Sequence, residues 1–189
     1  MDSNRERPAR RSPRLQGYDY AQAGAYFVTI CTHNRLERFG VIVDGMMQLN
    51  ALGGIAEEEW FQTASLRPNV ELDAFVVMPN HVHGIIVIHD TRDSVGTGRA
   101  LSLQPSTPAS SEHTSAGKSV SGSLPAIVGA YKSAVTKRVN RIQNISAFPL
   151  WQGRYHDHII RNEADLNRIR EYVVNNSARW QEDVFYGVE

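Results

Sequence analysis

The chain has 189 residues, enough for one domain with appendages, and its 41% hydrophobic and 21% charged residues are those of an ordinary globular protein. One cysteine, Cys31, excludes an intrachain disulfide framework and a cysteine-based zinc cluster, and no run reaches the roughly 18 apolar residues of a membrane helix. Its 20 basic and 20 acidic side chains sum to zero, which argues against a nucleic-acid binder until the chain is divided: residues 32–90 hold 3 basic and 8 acidic groups, residues 118–180 hold 10 and 4.

Residues 1–17 read as a flexible basic arm with five arginines in the first 14 positions, Arg14 the last of them. The arm has no apolar stretch of the kind a secretory signal carries, so a cytoplasmic location is expected. The uninterrupted run Ala25–Thr32 predicts a central strand in which Cys31 is a buried, inert thiol. Residues 40–43 and 46–49 flank Asp44-Gly45, a strong hairpin signal. Asn50 caps a helix over about Ala51–Ser65, with Leu52, Ile55, Ala56, Trp60 and Ala64 inward and Glu57–Glu59 toward solvent. Two strands follow at 70–78 and 82–88, joined at Pro79-Asn80. From about 90 to 123 the chain turns to Ser, Thr, Gly and Pro, a flexible insertion. A helix over 124–142, a strand near 151–160 and a helix over about 163–176 capped by Asn162 complete a single domain at 18–180, with 181–189 as a tail. This order predicts an α+β, ferredoxin-like (RRM-like) sandwich, a mainly antiparallel sheet with helices packed on one face.

Three features carry chemistry. His81 and His83 stand two apart on a strand, so both rings project from one face and can share a divalent metal; a polar strand face with two incidental histidines is the plain alternative. Val82, Ile85 and Val87 are expected in the opposite layer, anchoring the strand. On the last helix Tyr172 and Asn176 stack one turn apart at the margin of the stripe Leu166, Ile169, Val173. That margin can present a hydroxyl to a cleft and an amide oxygen to the same metal. Tyr131 competes as a reactive tyrosine but sits near the middle of its helix's apolar stripe, which favours packing. The third feature, Trp151 to His158, puts His156 and His158 on one strand face as a second metal pair or a hydrogen-bonding support. Lys132, Lys137, Arg138 and Arg141 on one helix, with Arg154, Arg161 and Arg14, are candidate phosphate contacts.

The segments RLQGYDYAQAGAYFVTICTHNR, VVMPNHVHGIIVI, IVGAYKSAVTKRVN and WQGRYHDHIIRNEADLNRIREYVVNN, covering roughly residues 14–180 outside the insertion, resemble the REP-associated tyrosine transposases, single-tyrosine HUH enzymes related to small insertion-sequence transposases. The resemblance implies that His81, His83 and Asn176 hold a divalent metal, Mg²⁺ or Mn²⁺, and that Tyr172 is the nucleophile. It also implies cleavage of single-stranded DNA near palindromic hairpins through a 5′-phosphotyrosine, with strands rejoined by a 3′-hydroxyl. Imidazole ligands suit other metals better than magnesium, and where relatives often have proline after the helix asparagine, this chain has Ser177. A non-catalytic single-stranded nucleic-acid-binding domain of the same fold is the alternative, and a phosphodiesterase without a covalent step is a third reading. Hairpin or single-stranded DNA is the expected partner, with no membrane and no small-molecule substrate; monomer and homodimer both remain open. On this reading the basic groups of 118–180 gather on one face with His81, His83 and Tyr172.

Overall fold

The computed structural model describes residues 15, 17–90, 120–146 and 148–186; Arg14 with the arm, and the insertion from 91 to 119, lie outside the described residues. Its strands are β1 (Gly24–Cys31), β2 (Gly40–Val43), β3 (Met46–Leu49), β4 (Val70–Met78), β5 (His81–Ile88) and β6 (His156–Ile160), and its helices are α1 (Ala51–Ser65), α2 (Leu124–Gln143) and α3 (Glu163–Asn175). β4, β5, β1 and β6 form one sheet in that order, and all three pairings are antiparallel. The fold is therefore the α+β antiparallel sandwich expected from the element order. β2 and β3 form a separate hairpin turned at Asp44-Gly45, where φ of 51° and 74° meets the left-handed demand of a two-residue turn.

Local chemistry explains the boundaries. Asn50 Oδ1 accepts from the Leu52 and Gly53 amides at 2.9 and 3.0 Å, and Asn162 Oδ1 accepts from Asp165 N at 2.8 Å. Each cap satisfies donors that the first helical turn leaves free, worth about 1 kcal/mol. α2 stops at Asn144, which takes the left-handed conformation at φ 52°.

Strand alternation sorts the sheet residues into two layers. Tyr26, Val28, Ile30, Val82 and Ile86 face α1 and α2 in a core that includes Trp60, Ile127, Tyr131 and Val135. The Tyr131 hydroxyl donates to the Ala56 carbonyl at 3.0 Å, so this tyrosine ties α2 to α1. The opposite face is crossed by α3, whose Leu166, Ile169 and Val173 pack on Ala25, Ile85, Val87 and Ile160. Ile85 and Val87 thus share the histidine face and do not anchor the other layer, because odd-numbered residues of one strand point the same way. Arg170 fixes α3 to β4 through Asp73, with Nε at 2.9 and 3.1 Å from its two oxygens, and this cation holds the Asp73 carboxyl below its usual range. Cys31 is 2% exposed, and burial pushes its thiol up to about 11.

Gly84 shows why the histidine strand lies so close to α1. A Cβ there would stand 2.2 Å from Trp60 Cζ2, so only glycine lets the indole lie against β5, where it stacks on Phe75 at 4.5 Å. Residues 177–186, read from the sequence as the end of the domain and the start of the tail, fold back on the histidine face: Trp180 and Phe185 are buried with Cys31 and Met78. No helix among the described residues is long and apolar enough to cross a membrane.

Candidate metal centre and tyrosine site

Alternation on β5 sends His81 and His83 to the α3 side, where both are buried at 0% and 1% exposure. Their Nε2 atoms stand 2.9 Å apart. Asn80 sets the tautomer of the first ring. Its Nδ2 donates to the Phe185 carbonyl at 2.8 Å, which leaves Oδ1 facing His81 Nδ1, also at 2.8 Å. A carbonyl accepts only, so Nδ1 carries the hydrogen and Nε2 is bare. Thr29 Oγ1 meets His83 Nδ1 at 2.8 Å from the neighbouring strand, as the antiparallel register of Thr29 against His83 requires. The Thr29 hydroxyl can donate or accept, so His83 Nε2 either carries the hydrogen that lies between the two rings or is bare and shares a cation with His81 Nε2.

Burial keeps these rings uncharged. It pushes His81 down to about 3, with the Arg35 charge adding to the effect, and drives His83 well below the ordinary imidazole range, with His81 adding. Neutral imidazole is the ligand form.

α3 brings Tyr172 to the same place. Its hydroxyl lies 3.2 Å from His83 Nε2 and donates to Asp183 Oδ2 at 3.3 Å, while Phe27 stacks on the His83 ring at 5.2 Å. Burial, then the Asp183 charge, push this phenol up to about 12. One turn on, Asn176 is 3% exposed; its Nδ2 donates to Asp183 Oδ2 at 2.9 Å, and its buried Oδ1 has no partner. The structure thus unites His81, His83, Tyr172 and Asn176 from strand and helix.

Asp183 is the member that the sequence reading missed. With His81 and His83 it forms a group whose donor atoms lie within 4.8 Å of one another, the arrangement of a metal-capable cluster. Phe185 N donates to its Oδ1 at 2.7 Å, which fixes the carboxylate. The signal in the sequence is the pair Trp180 and Phe185 flanking it: a large aromatic at the end of the domain and another within the supposed tail imply a segment that docks. Asn80, a turn residue by its place after Pro79, is the other group that sequence alone does not assign to the site.

The residues fit a divalent cation on two counts: the facing imidazole nitrogens, and the partnerless amide oxygen of Asn176 beside a fixed carboxylate. Mixed imidazole and oxygen donors suit a borderline or hard first-row ion.

The remaining candidates lie elsewhere. Lys132, Lys137, Arg138 and Arg141 are on α2, across the sheet from the histidines, so the basic groups do not form one face with the site. Arg138 pairs with Glu59 at 3.0 Å and Glu58 at 2.6 Å; Glu57 and Glu58 face solvent as expected, and Glu59 is half-buried. Lys132 Nζ donates to the Gln152 carbonyl at 2.6 Å, and with Lys137, Phe148 and Trp151 it borders an open groove of about 380 Å³. Arg154 and Arg161 are exposed before and after β6. His158 shares the α3 face, yet its Nε2 meets Asp165 Oδ2 at 2.7 Å, a contact with the first turn of α3 and not with the cluster. His156 is exposed, and among the described residues neither histidine joins a metal-capable group.

No family model matches the chain. A Haemophilus influenzae protein, described only as uncharacterized, is 37% identical over 181 residues, 94% of this chain and 93% of its own length. Among solved structures, the REP-associated tyrosine transposase bound to a REP hairpin is similar with a TM-score of 0.50 at 16% identity, covering 93% of this chain and 87% of that one. At that identity the likeness concerns fold alone. By sequence the chain belongs to one family with the Haemophilus influenzae protein, and it is built on the fold of the REP-associated tyrosine transposase.

Proposed function

We propose that the chain is a metal-dependent single-stranded DNA endonuclease and strand transferase, a transposase that cleaves near palindromic hairpins through a 5′-phosphotyrosine. One observation carries this reading: the hydroxyl of Tyr172, 42% exposed on α3, meets the buried imidazole pair at 3.2 Å. A surface that only binds DNA has no use for a phenol set against two neutral ligand nitrogens. The solved transposase of this fold holds a REP hairpin, and the proposal extends that class of partner to this chain.

His81 and His83 would hold Mg²⁺ or Mn²⁺ through Nε2, with oxygen from Asn176 and Asp183. When bound, the cation supplies Lewis-acid withdrawal of charge from the scissile phosphate. The other parts belong to the chain. Tyr172 Oη attacks phosphorus and its proton passes to Asp183 Oδ2, 3.3 Å away. The Oη–P bond forms as the P–O3′ bond breaks, and the departing 3′-oxygen takes up the proton that Asp183 received. A 3′-hydroxyl attacking the phosphotyrosine reverses these steps, so the bond energy is conserved and no nucleotide is consumed. The raised phenol keeps Tyr172 protonated at neutral pH, a poor nucleophile until charge is placed beside it.

Incubation with Mn²⁺ and hairpin-bearing single-stranded DNA, followed by denaturing gels, tests this. The unaltered chain and Tyr131→Phe form a covalent adduct, Tyr172→Phe forms none, and Asp183→Asn slows the reaction by about 10²-fold, the scale of general base catalysis. An adduct that survives Tyr172→Phe overturns the assignment. The non-catalytic reading keeps one observation, the complete burial of both histidines; it requires DNA binding without an adduct from any variant.

A further inference from the structure

A positive charge stands at the edge of this site, and among the described residues no carboxylate pairs with it. Residues His33–Arg35 form a tight turn after β1, in which Asn34 and Arg35 both have φ of 54°, a left-handed conformation that two successive non-glycine residues rarely share. The turn is held in place by Thr32. Its N–H donates to the Asn80 carbonyl at 2.9 Å, and its hydroxyl lies 2.9 Å from the same oxygen and 2.7 Å from the Leu36 carbonyl. Asn80 is the residue that orients His81, so the turn and the histidine pair are joined through one residue.

The consequence is a fixed placing of the Arg35 guanidinium. Its Cζ lies 5.0 Å above the Phe185 ring, which in turn meets the His81 ring at 4.7 Å and the His83 ring at 6.1 Å. The order across the site is then Arg35, Phe185, His81, His83, Tyr172, the last two rings 5.2 Å apart. The arginines of α3 that meet carboxylates behave differently: Arg170 is paired with Asp73 and Arg168 with Asp165. Among the described residues no carboxylate pairs with Arg35, although it is half-buried and its charge is felt at both His81 and Cys31. Asp183, the carboxylate of the cluster, is already engaged by the Tyr172 hydroxyl, the Asn176 amide and the Phe185 N–H, which leaves the Arg35 fork available to a further anion.

We propose that Arg35 binds a phosphate of the DNA strand next to the one presented to the histidine pair, and so sets the direction in which the strand crosses from Tyr172 over β5. This rests on the function proposed above and adds a residue and a strand path to it. The guanidinium offers a planar fork that matches two phosphate oxygens, and stacking on Phe185 holds that plane without consuming its donors.

The test measures binding of the full chain, in a Tyr172→Phe background that blocks cleavage, to a single-stranded oligonucleotide at several salt concentrations. Loss of one phosphate contact on single-stranded DNA reduces the slope of log K against log salt by about 0.7. Arg35→Gln is expected to show that reduction with about tenfold weaker binding at low salt. Arg35→Lys keeps the slope, and Arg67→Gln, at the far end of β5, changes neither quantity. Titration with Mn²⁺ alone separates contact from collapse, because Arg35→Gln should bind the ion at least as tightly once a repelling charge is gone. A wild-type slope and affinity in Arg35→Gln, with an adduct formed by the unaltered chain, overturns the role of Arg35 alone. Loss of Mn²⁺ binding in both Arg35 variants makes the residue structural and also overturns it. Failure of the unaltered chain to form any adduct overturns the function and, with it, this contact.

Discussion

The chemistry of the site depends on which nitrogen of His81 carries its hydrogen, and that is decided by Asn80. Its amide is held by the Phe185 carbonyl at one end and the imidazole Nδ1 at the other. Asn80→Ala leaves both ligands in the chain but removes this control. We expect Mn²⁺ affinity to fall by about 10–100-fold, the usual cost of losing a group that orients a ligand, measured by calorimetric titration with the ion alone. Asn80→Asp, which keeps the acceptor oxygen, should recover much of that loss; equal affinity in Asn80→Ala and the unaltered chain would show that His81 chooses its tautomer unaided. At this scale the sequence was legible in part. His81 and His83 follow from spacing, and Tyr172 with Asn176 from the helical wheel, because each pair is local. Asp183 and Asn80 act across 102 and 105 positions, on His81 and Phe185, and no periodicity encodes a partner so distant.

The elements show how one strand serves two layers. β5 turns its even residues toward α1 and α2 and its odd residues toward α3. On the even side Gly84 admits Trp60; on the odd side the histidines stand one position before and three before it. Gly84→Ala should therefore disturb the site from behind. A methyl group 2.2 Å from the indole must displace it, and overpacking of this kind costs about 1–3 kcal/mol. Chemical denaturation is expected to show that loss, and Gly84→Ala combined with Trp60→Leu should regain part of it; full stability of the single variant would mean that α1 yields freely. Hairpin, caps and helix ends were legible here because each is written in adjacent residues: Asp44-Gly45, Asn50 and Asn162. The layer to which each basic group belongs was not. Arg138 and Lys137 look alike in sequence with Arg168 and Arg170, yet α2 and α3 lie on opposite sides of the sheet.

For the whole molecule, buried neutral histidines have a cost in acid. In the unfolded chain each takes a proton below about pH 6.5, whereas His81 in the folded metal-free protein resists until about 3 and His83 is also held well below the ordinary range. The unfolded state then binds more protons, so stability falls as pH drops from 6.5 toward 3. Asp73, held low by Arg170, adds its own loss at the acid end of that window. Melting temperatures of the metal-free chain should decline from pH 7 to 5, and His81→Gln with His83→Gln should flatten the decline; an unchanged slope in that double variant would assign the acid sensitivity elsewhere.

The contact between Asn80 and Phe185 also bears on how the protein is made. Synthesis runs from the N-terminus, and the histidine strand emerges about a hundred residues before the segment that orients it. On the ribosome β1, β4 and β5 can pair while His81 still lacks its fixed tautomer and Asp183 is absent. A chain ending short of residue 183 would contain every strand of the sheet and its three helices but lack Asp183 and the Phe185 carbonyl. Competence arrives in one late step, when the last turn docks.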